Sequence, residues 1–129
     1  MEDLFARIVL GHLVGDYLLQ NKTMALKKSE NSLRGILWCT LHCLIYTASV
    51  CAFLQNINIV MIFLIFTSSW IIDHWSLASR WLKLIRGRDI MDFYLHKDDI
   101  GLTFSCLVYA VIDNTLHVLL IWLSSQWIL

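Results

Sequence analysis

Apolar residues run in four long blocks, at roughly 4–21, 35–55, 58–79 and 102–127, and the polar residues collect between them. A helix needs about 20 mostly apolar residues to cross hydrocarbon. The pattern therefore predicts an all-α, four-helix transmembrane bundle, built as one integral membrane domain over residues 1–129. Asn56-Ile57-Asn58 predicts a tight connection between the second and third helices. The stretch from Lys22 to Arg34 is polar and basic, with Gly35 after it, and the stretch from Arg80 to Gly101 is longer and mixed. Within the latter, Ile90, Met91, Phe93, Tyr94 and Leu95 predict a short turn lying in the membrane interface. Asp98 and Asp99 predict a cap at the positive end of the fourth helix.

The basic residues set an orientation. Nine of the ten lysines and arginines, all but Arg7, fall in the first connection (Lys22, Lys27, Lys28, Arg34) or the third (Arg80, Lys83, Arg86, Arg88, Lys97). Those connections share one side of a four-helix chain, and the positive-inside rule makes it cytoplasmic. Both termini then face outward. Trp122 and Trp127 at one end, and Trp75 and Trp81 at the other, fit aromatic belts at the two interfaces.

Composition agrees. The 129 residues are 58% hydrophobic and include no proline, and the mean hydropathy is +0.65, outside the soluble range. A net charge of zero leaves no electrostatic footprint for nucleic acid. The opening Met1-Glu2-Asp3 is acidic where a signal peptide is basic, so the first helix is expected to be retained. Cys39, Cys43, Cys51 and Cys106 lie in apolar runs, three of them on one helix. That is no disulfide framework and reads as small buried hydrophobes, with Cys39 and Cys43 also flanking His42 as candidate metal contacts.

The chemistry lies in polar residues inside the apolar blocks. His12, Asp16 and Gln20 recur every four residues and share one helical face. The second helix carries His42 and the third Asp73. The fourth carries Asp113 and His117, again four apart, in the reverse order to the pair on the first helix. Counted at ~1.5 Å per residue, these groups fall in a band of roughly 10 Å in the inner half of the bilayer, with His117 one turn further out. Carboxylates and imidazoles in hydrocarbon must face a protein interior, a partner or an ion. Inward convergence satisfies all six, with the first and fourth helices as antiparallel neighbours.

Three carboxylates and three imidazoles suit one or two divalent metals such as Zn, Mn or Fe. The ligand candidates are His12, Asp16, His42, Asp73, Asp113 and His117. Asp16, Asp73 and Asp113 are also the catalytic candidates, since a carboxylate not engaged in ligation can act as a general base. Gln20 and Asn114, carboxamides beside these groups, are the cofactor-binding candidates, Gln20 through a hydrogen bond to a ligand carboxylate. A hydrogen-bond network without metal, each Asp pairing with a His, remains the competing account. His74 lies ~100° around the helix from Asp73 and is expected to meet a headgroup or a neighbouring helix. His96 lies in a connection and is expected to be solvated. Gly11 and Gly15 permit close helix approach, within the chain or at a dimer seam.

The stretch His12-Leu13-Val14-Gly15-Asp16-Tyr17-Leu18-Leu19-Gln20, followed by Met24-Ala25-Leu26-Lys27-Lys28-Ser29, resembles the opening signature of the domain-of-unknown-function-3307 family. Those are small integral membrane proteins of bacteria and their phages. The His42 stretch, Ile72-Asp73 and Asp113-Asn114-x-x-His117 resemble its later motifs in the same order. Two positions depart. The family often has His four residues before the third-helix Asp, where this chain has Ser69, and usually Gln after the fourth-helix Asp, where this chain has Asn114. The first departure removes a ligand and weakens a two-metal reading. The resemblance implies a bacterial inner-membrane location. The family pattern is similar to that of small membrane proteins assigned as metal-dependent hydrolases, an analogy rather than a derivation.

The expected function is a membrane-embedded, metal-dependent hydrolase whose substrate is a lipid headgroup or a lipid-linked molecule reached from the cytoplasmic side. No strand-turn-helix elbow exists to present a nucleophilic Ser or Cys. Two alternatives use the same residues differently: a protein that transports protons or metal ions, and a phage-encoded structural modulator of a host membrane complex. Of polar residues continuing a path outward, the second and third helices offer only Ser49 and Thr67. A homo-oligomer is compatible with all three.

Overall fold

Every regular element in the computed structural model of the chain is helical, over the described residues 2–88 and 90–129. Met1 and Asp89 lie outside the described residues, as do the side chains of Glu2 and Phe93, so the acidic start and the place of Phe93 in its turn go untested. The elements are α1 (Glu2–Leu13), a π-helical turn (Val14–Leu18), α2 (Lys22–Lys27), α3 (Leu33–Leu54), α4 (Ile59–His74), α5 (Leu77–Arg86), α6 (Ile90–Leu95) and α7 (Asp99–Ile128).

Local chemistry sets most boundaries. Ser32, Asn58 and Asp98 cap α3, α4 and α7 by accepting from backbone N–H groups of Gly35, Val60 and Gly101. Gln55 and Gly87 end α3 and α5 in the left-handed region, at φ 54° and 69°.

α3 and α7 are each long and apolar enough to cross a membrane; α4 and α5 make a third such unit only if taken together as one bent span. The bend is 53° and falls at Trp75–Ser76, where Ser76 adopts φ 50°. The span expected over 58–79 therefore breaks just after His74. The break has no proline or glycine behind it, and it frees α5 to pack on α7 with Ala78 and Leu82 buried, leaving Trp81, Leu84 and Ile85 exposed. The span expected over 4–21 is also shorter. Regular helix stops at Leu18, because the Leu19 N–H donates five residues back to Val14, 3.0 Å away, and closes the wide turn. α2, inside the basic stretch, folds back onto α3.

α1, α3, α4 and α7 pack as a ring in which each touches the next and α7 returns to α1. Neighbours run antiparallel. Arg7 bonds Gln55 while Gly15 meets Tyr46, and Phe5 shares a groove with Trp122 while Tyr17 bonds Asn114. Two glycines bring α1 against α3. A Cβ on Gly11 would lie 2.9 Å from Val50 Cα, and one on Gly15 would lie 2.8 Å from the Tyr46 ring. The small-residue pair thus serves packing within the chain.

The interior has two halves. Where α1 begins, Ile8, Tyr46, Val50, Leu54, Met61, Ile65 and Ile121 form an apolar core. Where α1 ends, the buried side chains are His12, Asp16, His42, Asp73 and His117. Cys39 and Cys43 are buried as expected, but Cys51 is only partly covered and Cys106 is exposed, the latter because it sits on the outward face of α7, which is covered on few sides.

Candidate metal centre

α1 and the π turn deliver His12 and Asp16, α3 delivers His42, α4 delivers Asp73, and α7 delivers Asp113 and His117. The contacts form a continuous chain. His12 Nδ1 lies 3.4 Å from Asp16 Oδ2, and His42 Nε2 lies 3.2 Å from both Asp16 Oδ1 and Asp73 Oδ2. His117 Nε2 stands 3.5 Å from Asp73 Oδ1 and 4.0 Å from Asp113 Oδ2. Two overlapping sets, His12–Asp16–His117 and Asp73–Asp113–His117, each have ligand atoms within 4.8 Å of one another. Such groups can hold a metal ion.

The burial is deep and the hydrogen bonding incomplete. Both oxygens of Asp16, both ring nitrogens of His42 and Nε2 of His117 are buried without a hydrogen-bond partner. The short His42–carboxylate distances are close but misaligned for N–H···O bonds. Leaving buried polar atoms unpaired costs ~1–3 kcal/mol each, more for charged ones. Lone pairs that converge with no proton between them are what a cation requires, so this donor set fits a divalent ion of the Zn, Mn or Fe type.

The imidazole of His12 is held from outside the cluster. Its Nε2 is 2.6 Å from Asn114 Oδ1, an acceptor, so the proton sits on Nε2. The Nδ1 lone pair is then left facing Asp16 and the Tyr46 hydroxyl, 3.0 Å away. Asn114 is steadied in turn, since its Nδ2 donates to Tyr17 Oη at 2.8 Å. Asn114 thus touches a ligand candidate, the position from which metal sites fix a histidine's tautomer.

Gln20 departs from its expected position because the π turn and the end of helix at Leu18 take it off the face shared by His12 and Asp16. With its amide nitrogen turned to the Asp16 backbone carbonyl, it donates at 2.9 Å and accepts from Lys28 Nζ at 3.3 Å. It braces the backbone rather than a ligand carboxylate.

A family model described as "Protein of unknown function (DUF3307)" matches residues 4–128. The chain belongs to the DUF3307 family. No curated protein and no solved structure matches it.

One residue of the basic connection, inside the signature stretch, also belongs to this cluster. Lys28 reaches into the centre, with its ammonium 2.7 Å from Asp73 Oδ1 and its side chain 12% exposed. Burial disfavours the charged ammonium, but the Asp73 and Asp16 carboxylates outweigh it and hold the Lys28 pKa above the usual lysine range. His74 holds the other end of the same residue, its Nδ1 3.0 Å from the Lys28 carbonyl, while its ring packs on Trp70. Consecutive residues of α4 therefore grip Lys28 at both ends. Tyr46 was also missed, although it lies four residues from His42 and so shares its face. It is fully buried, with its ring against His12 and His117.

The remaining candidates stand apart. Cys39 and Cys43 face each other at 4.0 Å, and Cys43 meets Ser69 at 3.6 Å. Neither belongs to a possible metal group among the described residues, and nor does His42, which joins the cluster through its contacts to Asp16 and Asp73. Ser69 lies 3.5 Å from Asp73 Oδ2. His96 is exposed and bonds the Asp92 carbonyl at 2.6 Å.

Proposed function

We propose that this DUF3307 protein is a metal-dependent hydrolase of the bacterial inner membrane, acting on a lipid or lipid-linked substrate from the cytoplasmic side. In this reading the chain crosses the membrane four times with both termini outside, and α1 with its π turn forms a short first span. The observation that supports it best is the set of buried, unpaired lone pairs on Asp16, His42 and His117. A network built for stability alone would align its N–H groups on its carboxylates; this one brings the atoms close and leaves the directions open.

His12, Asp16, His42, Asp73 and His117 would hold the ion, with Asp113 at its edge and free for another role. When bound, it would polarise a phosphoryl or acyl oxygen and acidify water. With neutral imidazoles, the three carboxylates and the Lys28 ammonium leave a charge that one divalent ion cancels, which suits a centre buried among apolar helices. Asp113 has the longest contact of the set and is the most open, its side chain 17% exposed. It is the carboxylate best placed to take a proton from water.

The test begins with elemental analysis of protein purified in detergent without chelator. Less than about a tenth of an equivalent of any transition metal would remove the reading, since a preformed site of this donor count should retain its ion. Metal-dependent headgroup release from mixed-lipid vesicles, lost in Asp113→Asn, is the expected activity. Proton or Mn²⁺ flux into liposomes that is lost in Asp16→Asn, without hydrolysis, would make it a transporter instead.

A further inference from the structure

One cavity reaches the metal candidates from outside. It has a volume of about 230 Å³ and lies between the π turn, α2 and α7. Asp16 and Asp113 form one wall. Lys28, Gln20, Tyr17 and Tyr109 supply the remaining polar lining.

The two walls differ in chemistry. The carboxylates can only accept while ionised, and Asp16 is committed to the ion if one binds. Lys28 can only donate. An ammonium has three N–H groups; Asp73 and Gln20 engage two of them, which leaves the third for the cavity. Tyr109 lies on α7 along the same cavity, and its phenol makes no hydrogen bond among the described residues. A cation with a spare donor and an unpaired phenol thus share an opening with the candidate metal ligands.

We infer that this opening is an anion subsite for a phosphate ester, with Lys28 and Tyr109 donating to the phosphoryl oxygens that the metal does not take. The inference rests on the metal reading above, because without the ion Asp16 and Asp113 would repel an anion. It narrows the substrate class. A phosphoryl group is tetrahedral and can present separate oxygens to the ion, to Lys28 and to Tyr109 together. A carboxylate has only two oxygens in one plane and cannot reach all three. Lys28 acts here as a specificity-determining cation, and its attachment to Asp73 and His74 fixes its height against the centre before any ligand arrives.

The test measures binding rather than turnover. Detergent-solubilised protein is loaded with Mn²⁺, and the apparent Kd for inorganic phosphate is read from line broadening in phosphorus NMR, with metal content determined on the same samples. Lys28→Met should weaken phosphate at least about tenfold while metal content stays at the native level, the loss expected for one charge-assisted contact. Lys28→Arg should recover most of it, and Tyr109→Phe should lose several-fold. Native protein that retains no metal would sink the metal reading itself. Metal bound equally in all variants, with phosphate affinity unchanged in both Lys28→Met and Tyr109→Phe, would overturn the subsite alone. Acetate competing as well as phosphate would also overturn it. Vesicles containing phosphatidic acid and soluble glycerol 3-phosphate are then tested as competitors. Displacement by the vesicles alone identifies a lipid phosphate, displacement by the soluble ester alone identifies a free one, and displacement by neither overturns the assignment to a phosphate ester.

Discussion

His12 donates its Nε2 proton to Oδ1 of Asn114 across 2.6 Å, joining the first helix to the last. That bond decides which imidazole nitrogen faces the cluster. It also makes Asn114, rather than an ionisable group, the residue that orients His12 toward the cluster.

Replacing Asn114 with Ala should therefore lower metal affinity about 10–100-fold, the usual cost of losing a group that orients a ligand. The helical content should be unchanged by circular dichroism. Asn114→Asp should keep more affinity than Asn114→Ala, since a carboxylate still accepts from Nε2. A competition titration against a metal-sensing dye measures both; equal affinity in native protein and Asn114→Ala would refute the tautomer argument.

Lys28 and Asp73 should behave as a coupled pair. Asp73→Asn strands the ammonium in a largely buried place and should cost about 3 kcal/mol. Adding Lys28→Met should recover most of that stability without restoring metal binding. Unfolding in a denaturing detergent series, run as a double-mutant cycle, gives the coupling. Additive losses would mean that the 2.7 Å contact carries no energy of its own.

Gly11 and Gly15 should separate packing from site geometry. A methyl on Gly11 meets the α3 backbone at Val50, which cannot rotate away, so Gly11→Ala should destabilise by about 1–3 kcal/mol. A methyl on Gly15 meets the Tyr46 ring, whose hydroxyl touches His12. Gly15→Ala should be comparably unstable and should also bind metal more weakly. Thermal unfolding and metal titration on the same two proteins distinguish these outcomes.

Metal should stabilise the fold. With free ion at a hundredfold excess over Kd, binding to the native state adds about 2.7 kcal/mol. Chelator should lower the unfolding temperature of the native protein and leave that of His42→Ala/Asp73→Asn unchanged. A chelator effect of the same size in both would assign the ion to another place.

The convergence of the six candidate residues was legible in the sequence because helical geometry is regular. Once His12 and Asp16, or Asp113 and His117, are set four apart in an apolar run, one helical face follows, and the cost of burial turns that face inward. The rest depended on irregular backbone. The π turn that carries Asp16 replaces an ordinary turn with no local signal in Val14–Leu18. Lys28 looked like one more residue of a basic connection, because nothing in its neighbours states that α2 folds back. The break after His74 was equally silent, since it hangs on a serine, not a proline, entering the left-handed region. Gln20 was misplaced for the same reason: extrapolating one face assumed that the helix continued.

The contact between His12 and Asn114 closes a separation of 102 positions in the chain, and that separation sets an order of assembly. During synthesis α1 is made, with His12 and Asp16, long before α7. α2 through α4 then bring Lys28, His42 and Asp73, so the growing chain holds two carboxylates against one ammonium and two imidazoles. His117, Asp113 and Asn114 come last. The final helix therefore docks onto a half-built, charged surface, and a chain interrupted before it leaves Asp16 and Asp73 without the helix that closes the cluster, an unfinished product that quality control has a physical reason to remove.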